Sequence, residues 1–416
     1  MSVFSPQPRF RIYSRTRDYF QAMPALATGA YAAGDHCETL EKALTEHLGV
    51  PYAVGMPQAR VGLHLAIKAS VPQGGEVILS PNTIADVINM IISAGAVPIF
   101  CDINPVTGNI DPDLIEPLIS SKTVAILATH LYGLVAPMDR LREISTRHNL
   151  ILMEDAAQAF GAKFEGGYAG ALGDVGVFSF GMAKNIMAFF GGMVLTSDKK
   201  IADRVRQEIT SYPIISRKKL GKKVLSCLIK DLMSSDIFFP HLLFKIFRHG
   251  YRKNIKSITR LIETELDLYL KESLPEDYKS QFSALQAKLV LEKLESVDLD
   301  FQHRLSCAKM YHDGLSDIHE IRLPPMLEDG SHVYNYYPIG YKNRHELRLF
   351  MMNQNRDIAL QHIKNTADLP AFERWHQDCP NCRKWANETI MLPNYGKYRL
   401  SEVEKNISSI RAFFKK

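Results

Sequence analysis

Residues 150–198 read LILMEDAAQAFGAKFEGGYAGALGDVGVFSFGMAKNIMAFFGGMVLTSD, and the fold class can be inferred from their pattern. Its first apolar run, 150–153, ends in Glu154 and Asp155. A fully buried parallel strand has this pattern when it delivers a carboxylate to the carboxyl edge of its sheet. Short apolar runs alternate with helical patterns from about residue 50 up to this stretch. The alternation predicts an α/β fold with a mainly parallel sheet flanked by helices.

Two further chemical groups follow the acid. The second apolar run, 175–180, contains Ser179, and Lys184 lies four residues beyond it. Open α/β sheets bind ligands outside the carboxyl ends of their strands, where these groups are expected. A lysine able to form a Schiff base and an aspartate for a pyridinium nitrogen are the groups that a pyridoxal-phosphate enzyme requires. The stretch therefore indicates cofactor chemistry at Asp155 and Lys184.

Length and composition describe a globular protein. The 416 residues suffice for one large and one smaller domain, with 46% hydrophobic and 23% charged residues. Six cysteines are scattered without the spacing of a disulfide framework, and no signal peptide is recognised, so we expect a cytoplasmic protein. No apolar run reaches the roughly 18 residues of a membrane-spanning helix. A single CPNC motif at 379–382 has no second pair nearby, and we predict no metal site.

The patterns divide the chain into three regions. Residues 1–30, mixed and interrupted by proline, are predicted to be an irregular lead-in or an arm. Residues 31–285 are expected to form a large ligand-binding domain and residues 286–416 a small α+β domain. Within these regions the patterns also predict a helix over 112–120 and a strand over 332–339.

A basic, amphipathic insertion is predicted at about 213–275. Residues 214–260 carry twelve Lys or Arg against two Asp, a net +10 in a chain whose total is +5. Apolar residues recur there at helical spacing: Leu225, Leu228, Ile229 and Leu232. The segment fits a solvated helical face, a membrane-surface patch at 213–260, or a lid that binds a partner such as a nucleotide diphosphate. Packing against its own fold or a dimer partner is the simplest interpretation, and no motif supports nucleic-acid binding.

With its motifs in this order, the chain resembles the DegT-like sugar aminotransferases, a family of fold-type I pyridoxal-phosphate enzymes. The likeness rests on EDAAQAFGA at 154–162, GDVGVFSF at 173–180, Lys184, the glycine pair at 191–192, the segment 77–112, HLYG at 130–133, QA at 286–287 and MLPNY at 391–395. The resemblance implies a large domain with a mainly parallel sheet and a small α+β carboxy-terminal domain. It also implies a homodimer with active sites at the subunit interface.

The resemblance assigns roles to four residues. Lys184 matches the lysine that binds pyridoxal 5′-phosphate as a Schiff base, and Asp155 matches the acid that keeps the pyridine nitrogen protonated. Gln158 matches a residue beside the ring hydroxyl, and Ser179 matches a phosphate ligand. The chemistry agrees, because a carboxylate at the ring nitrogen stabilises the positive charge that makes the cofactor an electron sink. Lys184, once released, can move a proton between two carbons.

The phosphate-binding segments depart from the family pattern. QAR stands at 58–60 where relatives usually have Ser-Gly-Thr, so Ala59 and Arg60 are expected to hold the phosphate in a different way. Arg60 could bind it bidentately or form a salt bridge with a neighbouring acid. Ile84 stands where an aromatic residue normally stacks on the ring, which leaves apolar contact without π-stacking.

Two further departures lie elsewhere. KSQ at 279–281 replaces an Asn-Tyr-Arg that contacts phosphate across the dimer, and two phenylalanines at 189–190 replace Gly-Glu. His130 could face the cofactor, although a structural histidine with satisfied ring nitrogens is the simpler expectation. The ring-binding half of the site is therefore expected to follow the family more closely than the phosphate-binding half.

The functional prediction is a transaminase. We expect it to move an amino group from an amino acid, glutamate by family likeness, to a keto-sugar that is linked to a nucleotide, in polysaccharide or amino-sugar biosynthesis. Two alternatives remain open: a pyridoxal-phosphate-dependent sugar dehydratase, against which Lys184 argues, and a non-catalytic regulatory or scaffold homologue. A location at the inner face of the membrane would follow if the insertion contacts lipid.

Overall fold

The computed structural model describes residues 6–253, 255, 257–258 and 268–415. A seven-stranded sheet forms its centre, in the order β1-β9-β8-β5-β4-β2-β3. The strands are β1 (Tyr52–Met56), β2 (Glu76–Leu79), β3 (Val97–Phe100), β4 (Thr123–Thr129), β5 (Ile151–Asp155), β8 (Val175–Ser179) and β9 (Gly192–Thr196). β9 runs against its neighbours β1 and β8, and the other neighbouring pairs are parallel. The predicted α/β fold with a mainly parallel sheet is confirmed.

Helices cover both faces of this sheet. They are α2 (His36–Leu48), α3 (Ala59–Ser70), α4 (Ala85–Ser93), α5 (Met138–Arg147), α6 (Lys199–Thr210) and α9 (Ala284–Leu294). Alternate strand residues enter different clusters: Ala125 and Leu127 pack in the cluster of α3, α4 and α6, while Ile126 packs with α5. This period of two is what a strand buried on both faces requires.

A smaller three-stranded antiparallel sheet lies near the carboxyl end of the chain. Its strands are β10 (Tyr337–Gly340), β11 (Ala359–Leu360) and β12 (Thr389–Leu392), in the order β10-β12-β11. The helices of this region are α10 (Val297–Leu315), α11 (Arg344–Asn353), α12 (Pro380–Glu388) and α13 (Leu400–Phe414). A two-stranded hairpin, β6 (Lys163–Phe164) with β7 (Gly167–Tyr168), stands apart from both sheets.

The hydrophobic packing changes partner along α10. Val297, at its start, packs with the large sheet and α9, whereas Cys307 and Tyr311 pack around the small sheet. The domain division at residues 285 and 286 stays a prediction. The packing itself joins α9 to the large domain.

The amino-terminal segment differs from the irregular lead-in that the sequence predicts. Residues 1–5 lie outside the described residues, but Thr16–Thr28 form helix α1, despite Pro24 in its interior. Tyr19 is buried, and the Asp18 carboxylate accepts a hydrogen bond from Lys293 Nζ at 2.6 Å. Pro24 removes one backbone hydrogen bond, but burial and this ion pair hold the helix against α9.

Two other predicted elements are wrong in extent. Residues 112–120 form two short 3₁₀ turns, Pro112–Leu114 and Glu116–Leu118, because Pro117 interrupts the helical hydrogen-bond pattern. Of the strand predicted at 332–339, only the last three residues lie in a strand, and together with Gly340 they form β10. The earlier part is not a strand, since Tyr334 adopts a left-handed backbone with φ 47°.

The described part of the basic insertion is largely helical. It contains α7 (Arg217–Met233) and α8 (Phe244–Arg252), while residues 254, 256 and 259–267 lie outside the described residues. The buried face of α7 is formed by Leu220, Val224 and Cys227. Of the residues whose spacing suggested an apolar face, Leu228 packs on the core, but Leu225, Ile229 and Leu232 are exposed. None of the helices in the described ranges is both long and apolar enough to span a lipid bilayer.

Candidate active site

The carboxyl edge of the large sheet brings the predicted site residues together. Asp155, the last residue of β5, is the register partner of Thr129, the last residue of β4. On the other side, Ser179 ends β8 and is paired with Gly192, which begins β9. Because β9 is reversed, its start lies at the edge where the parallel strands end. The loop that carries Lys184 therefore leaves from this edge and returns to it.

The start of helix α3 approaches the same edge. Met56, which ends β1, is also paired with Gly192, and Gln58 caps α3 just beyond it. A Cβ added to Gly192 would lie 2.7 Å from the backbone nitrogen of Ala59. Glycine is needed here so that the first turn of α3, with its free N–H groups, can lie against the strand end. Such a helix start favours an anion.

A cavity of about 1320 Å³ opens at this edge and contains all the predicted site residues. Its lining includes Ala59, Arg60, Ile84, Asp155, Gln158, Ser179 and Lys184. The remaining walls come from the small sheet region and from the insertion. The volume exceeds the roughly 300–1,000 Å³ of an ordinary ligand pocket, so the cavity has room for a cofactor and a second ligand.

Lys184 is electrostatically suited to act as an amine. Burial lowers the pKa of Lys184 to about 8, with a further lowering from the Arg60 charge, while Asp155 acts in the opposite direction. A larger fraction of the side chain is therefore uncharged near neutral pH than in an exposed lysine. The neutral amine is the form that attacks a carbonyl group.

Asp155 carries a charge that the site must stabilise. Burial raises the pKa of Asp155, while the Lys184 charge and the backbone N–H of Ala157 oppose the increase. The Ala157 nitrogen donates to Asp155 Oδ1 at 3.1 Å. A positively charged ring nitrogen placed here would stabilise the carboxylate in the same way as these groups do.

Backbone contacts hold two of the other predicted site residues, Gln158 and Ser179. Gln158 Oε1 accepts a hydrogen bond from the Tyr132 nitrogen at 3.1 Å, which fixes the side chain at the cavity wall. The Ser179 hydroxyl accepts from the Gly181 nitrogen at 3.3 Å. Ile84 is half-buried and precedes the first turn of α4, so it offers an apolar surface to the cavity.

Arg60 forms the salt bridge that the sequence left as an alternative to phosphate binding. Its guanidinium is paired with Asp86 of α4, and its Nη1 donates to the Tyr278 hydroxyl at 3.1 Å. Asp86 is also paired with Lys271, so one carboxylate is shared between two cations. Burial alone would raise the pKa of Asp86, but Arg60 and Lys271 outweigh it and hold the pKa below its usual range. The cluster therefore retains a positive charge beside the cavity.

His130 is structural. The Ala136 nitrogen donates to His130 Nδ1 at 3.0 Å, so the ring proton is on Nε2, which donates to Glu154 Oε2 at 2.8 Å. The buried Glu154 also accepts from the backbone nitrogens of Gly170 and Gly173. Both ring nitrogens are satisfied, and this pair fixes the sheet edge next to Asp155.

The two phenylalanines before the glycine pair shape the loop that follows Lys184. Phe189 and Phe190 adopt left-handed backbones with φ 52° and 80°. Gln286 Nε2 of α9 donates to the Phe190 carbonyl at 2.6 Å and to the Ala188 carbonyl at 3.2 Å. Gln286 of the QA pair thus holds this loop, in a conformation that phenylalanine disfavours.

His362 is among the cavity residues that the sequence did not single out. His362 lies on the segment after β11 and lines the cavity with Lys184. Burial lowers the pKa of His362 to about 4, and the Lys184 charge contributes to the lowering, so the ring is neutral at pH 7. No local pattern distinguishes this histidine, because it reaches the site only when the small sheet packs on the large domain.

The residues present fit pyridoxal 5′-phosphate. The cavity wall combines an amine of lowered pKa at Lys184, a carboxylate at Asp155 and a helix start at Ala59 that only glycine at position 192 allows. These groups match the carbonyl, the pyridinium nitrogen and the phosphate of the cofactor.

Known proteins resemble the chain over nearly its full length. It matches the DegT/DnrJ/EryC1/StrS aminotransferase family over residues 16–411. It is 26% identical over 397 residues to the "Pleiotropic regulatory protein" of Geobacillus stearothermophilus, covering 94% of this chain and 92% of that protein. It is also 26% identical over 391 residues to the dTDP-3-amino-3,6-dideoxy-alpha-D-galactopyranose transaminase of Aneurinibacillus thermoaerophilus, covering 93% of each.

The fold agrees with that of a solved structure. The structure of ntda from Bacillus subtilis with bound cofactor PMP superposes with a TM-score of 0.76 at 22% identity, covering 100% of this chain and 86% of that one. The chain therefore belongs to the DegT/DnrJ/EryC1/StrS aminotransferase family, and pyridoxal 5′-phosphate is its expected cofactor.

Proposed function

We propose that this transaminase moves an amino group from an amino acid to a nucleotide-linked keto-sugar. The observation that carries the proposal is the meeting of Lys184 and Asp155 in one cavity that is large enough for a cofactor and a sugar nucleotide together. The similarity to the transaminase of Aneurinibacillus thermoaerophilus, whose name states a dTDP-linked sugar, supports the substrate class. Glutamate is the proposed amino donor by family likeness.

The proposed roles follow from the position and charge of each residue. Pyridoxal phosphate, when bound, supplies an electron sink next to the carbon that loses or gains a proton. Asp155 keeps a proton on the ring nitrogen, because a buried carboxylate is stabilised by a facing positive charge. Lys184 accepts and returns the proton as a free amine of lowered pKa. Gln158 is fixed by the Tyr132 nitrogen and is proposed to orient the ring hydroxyl.

The phosphate is proposed to lie at the start of α3. The backbone of Ala59 and the hydroxyl of Ser179 would donate hydrogen bonds to it, while Arg60 supplies positive charge from its pair with Asp86. Ile84 would contact one face of the ring without stacking.

Cofactor attachment provides the first test. Purified protein is expected to be yellow, to lose this absorbance on treatment with borohydride, and to lack it after Lys184→Ala. A colourless protein that does not respond to added pyridoxal phosphate would refute the proposal and favour the regulatory or scaffold alternative, which the name of the Geobacillus relative keeps open.

Substrate specificity provides the second test. The holoenzyme is incubated with glutamate and a set of nucleotide-linked keto-sugars, and the release of 2-oxoglutarate is measured. Amination of at least one sugar is expected. Loss of a sugar hydroxyl without net transfer of nitrogen would instead support the dehydratase alternative.

Location and assembly are further parts of the proposal. We propose a cytoplasmic homodimer in a pathway of polysaccharide or amino-sugar biosynthesis, and light scattering of the purified protein would test the dimeric state. We also propose a peripheral membrane contact through residues 213–260, because exposed apolar residues such as Ile229 and Leu232 lie on the same helix as several lysines. Absence of salt-sensitive co-sedimentation with anionic vesicles would exclude this contact.

A further inference from the structure

The insertion forms part of the wall of the active-site cavity. The cavity lining includes Lys230 near the end of α7, Phe239 in the turn that follows, and Phe247 and Tyr251 on α8. The same cavity reaches Lys184 at the sheet edge. The described insertion is thus in a position to contact any ligand that extends outward from the cofactor site.

Contacts with the rest of the chain hold the insertion in this position. Asp231 of α7 accepts a hydrogen bond from the Tyr19 hydroxyl of α1 at 2.9 Å. Arg248 Nη1 of α8 donates to Asn355 Oδ1 at 2.8 Å. Phe239 packs in one hydrophobic cluster with Phe244 of α8 and Met352 of α11. Both helices of the segment are therefore anchored to the protein's own surface.

Arg348 of α11 lines the cavity without an ion-pair partner among the described residues. Its guanidinium lies 3.8 Å from the ring centroid of Tyr251, and its Nη2 contacts His345 Nδ1 at 3.5 Å. The Asp357 carboxylate, which acts on it only at longer range, is bound by Arg9 Nε at 2.9 Å. Burial lowers the pKa of Arg348 to about 10, and the Arg9 charge contributes to the lowering. An anion in the cavity would relieve this uncompensated charge.

Lys230 is the second cation of this region. Its Nζ contacts Met182 Sδ at 3.4 Å, and sulfur is a weak acceptor. No ion pair joins Lys230 to an acid in the part of the chain that the structure describes; the neighbouring Asp231 points to Tyr19 and Ser14. Met182 lies two residues before Lys184 and also lines the cavity. Lys230 can therefore contact a ligand that lies over the loop that carries Lys184.

Aromatic side chains complete the wall. The rings of Phe239 and Phe247 meet edge to face with centroids 6.5 Å apart, and both line the cavity. Tyr251, four residues after Phe247, lies on the same face of α8, and its ring makes a cation–π contact with the Arg348 guanidinium. The region thus combines two cations with apolar rings, which is the chemistry that binds a diphosphate joined to a planar base.

We propose that the insertion and Arg348 bind the nucleoside diphosphate half of the substrate within a single chain. Lys230 and Arg348 bind the diphosphate oxygens, Phe239 and Phe247 contact the base, and Tyr251 is a positioning residue for Arg348. This inference rests on the proposed function, since it takes the substrate to be nucleotide-linked. A second source of negative charge, the side-chain carboxylate of glutamate, is distinguished in the test.

The test measures ligand binding by calorimetry on the full-length holoprotein. The probes are UDP, GDP and dTDP, the corresponding nucleosides, inorganic pyrophosphate, and glutamate. Lys230→Ala and Arg348→Gln are each expected to weaken the best nucleoside diphosphate and pyrophosphate about tenfold or more, as for loss of a charge-assisted hydrogen bond. Phe247→Ala is expected to weaken the nucleoside diphosphate but not pyrophosphate. Lys222→Ala, exposed on α7 and outside the cavity lining, is the matched control and should bind as the parent does.

Several outcomes would overturn the inference. They are the absence of binding by every nucleoside diphosphate, equal affinities in the parent and the variants, or a change restricted to glutamate. Arg348 also ties α8 to α11, so thermal unfolding is recorded for each variant, and Lys230→Ala at its exposed position decides the test if Arg348→Gln unfolds.

Cofactor absorbance and transamination are recorded separately, so that the two proposals can fail independently. If the protein is yellow and transaminates, but its variants bind nucleotides as the parent does, this inference alone is refuted. If the protein takes up no cofactor but binds nucleotides in a way that depends on Lys230, the proposed function alone is refuted.

Discussion

Ser179, the last residue of β8, is the register partner of Gly192, the first residue of β9. The pairing closes the segment that carries Lys184 into a loop whose two ends are fixed in the sheet. On its other side Gly192 contacts the first turn of α3 so closely that a Cβ there would lie 2.7 Å from both the Ala59 nitrogen and the Phe178 carbonyl oxygen. The proposed phosphate site therefore depends on a glycine that has no side chain to contact the ligand.

Gly192→Ala is expected to weaken cofactor binding and to destabilise the protein by about 1–3 kcal/mol, because the added methyl group meets backbone atoms that cannot rotate away. Chemical unfolding and a pyridoxal phosphate titration of the apoprotein measure the two effects. Gly221→Ala on α7 is the control, since a Cβ there has nothing within 4 Å and alanine favours a helix more than glycine does. Equal behaviour of the two variants would contradict the close approach.

Lys184→Met is expected to stabilise the apoprotein at pH 7. The pKa of Lys184 falls from its usual value to about 8 on folding, so the charged form is penalised in the folded state by up to about 3 kcal/mol. This penalty is fully present below pH 8 and is relieved as the pH rises from 8 towards 10.5, where the unfolded lysine also loses its proton. The free energies of unfolding of parent and variant, measured across this range, should converge; a difference that is independent of pH would refute the burial of the charge.

Asp155→Asn is expected to lower the rate of transamination about 10²–10³-fold, since the amide keeps the shape but removes the charge that is proposed to face the ring nitrogen. The cofactor should still bind, and its absorbance reports that occupancy. Asp113→Asn, at an exposed position outside the cavity lining, serves as the control. An unchanged rate in Asp155→Asn would remove this residue from the proposed mechanism.

Asp86→Asn is expected to tighten the binding of inorganic phosphate and of pyridoxal phosphate to the apoprotein, because Arg60 and Lys271 lose the anion that they share. Arg60→Met is expected to weaken both, by about tenfold if Arg60 donates one charge-assisted hydrogen bond. Dissociation constants from absorbance and calorimetry measure the change.

The decisive result is that the dissociation constants for phosphate and pyridoxal phosphate fall in Asp86→Asn and rise in Arg60→Met. If Asp86→Asn only lowers the melting temperature and Arg60→Met leaves both dissociation constants unchanged, then Arg60 stabilises the fold through its salt bridge and does not bind phosphate.

The sequence predicted the α/β fold and the family because both depend on local patterns. Buried strands that end in Asp155 and Ser179 are recognisable from runs of apolar residues, and the order of the motifs is specific. All seven predicted site residues line one cavity, although their individual roles stay predictions. The choice between phosphate and a salt bridge for Arg60 could not be made from the sequence, since Asp86 lies 26 positions away on another helix.

Long-range contacts account for what the sequence analysis missed. His362 enters the cavity only through the packing of the small sheet, and Tyr251 only through the docking of α8 on α11. Helix α1 was obscured by Pro24, because the helix is held by the contact of Asp18 with Lys293 and not by its own propensity. The helical spacing on α7 could not show which apolar residues are buried, since Leu228 packs on the core while Ile229 and Leu232 face outward.

The ion pair between Asp18 and Lys293 links the amino-terminal helix to the loop that carries Lys184. The same Lys293 ammonium that binds Asp18 also donates to the carbonyl of Met187, three residues after Lys184. A shortened version of this protein that begins after residue 30 would leave that ammonium without its carboxylate, directly beside the loop that carries Lys184. Truncation of the amino terminus, which looks harmless in the sequence, would therefore act on the position of Lys184 itself.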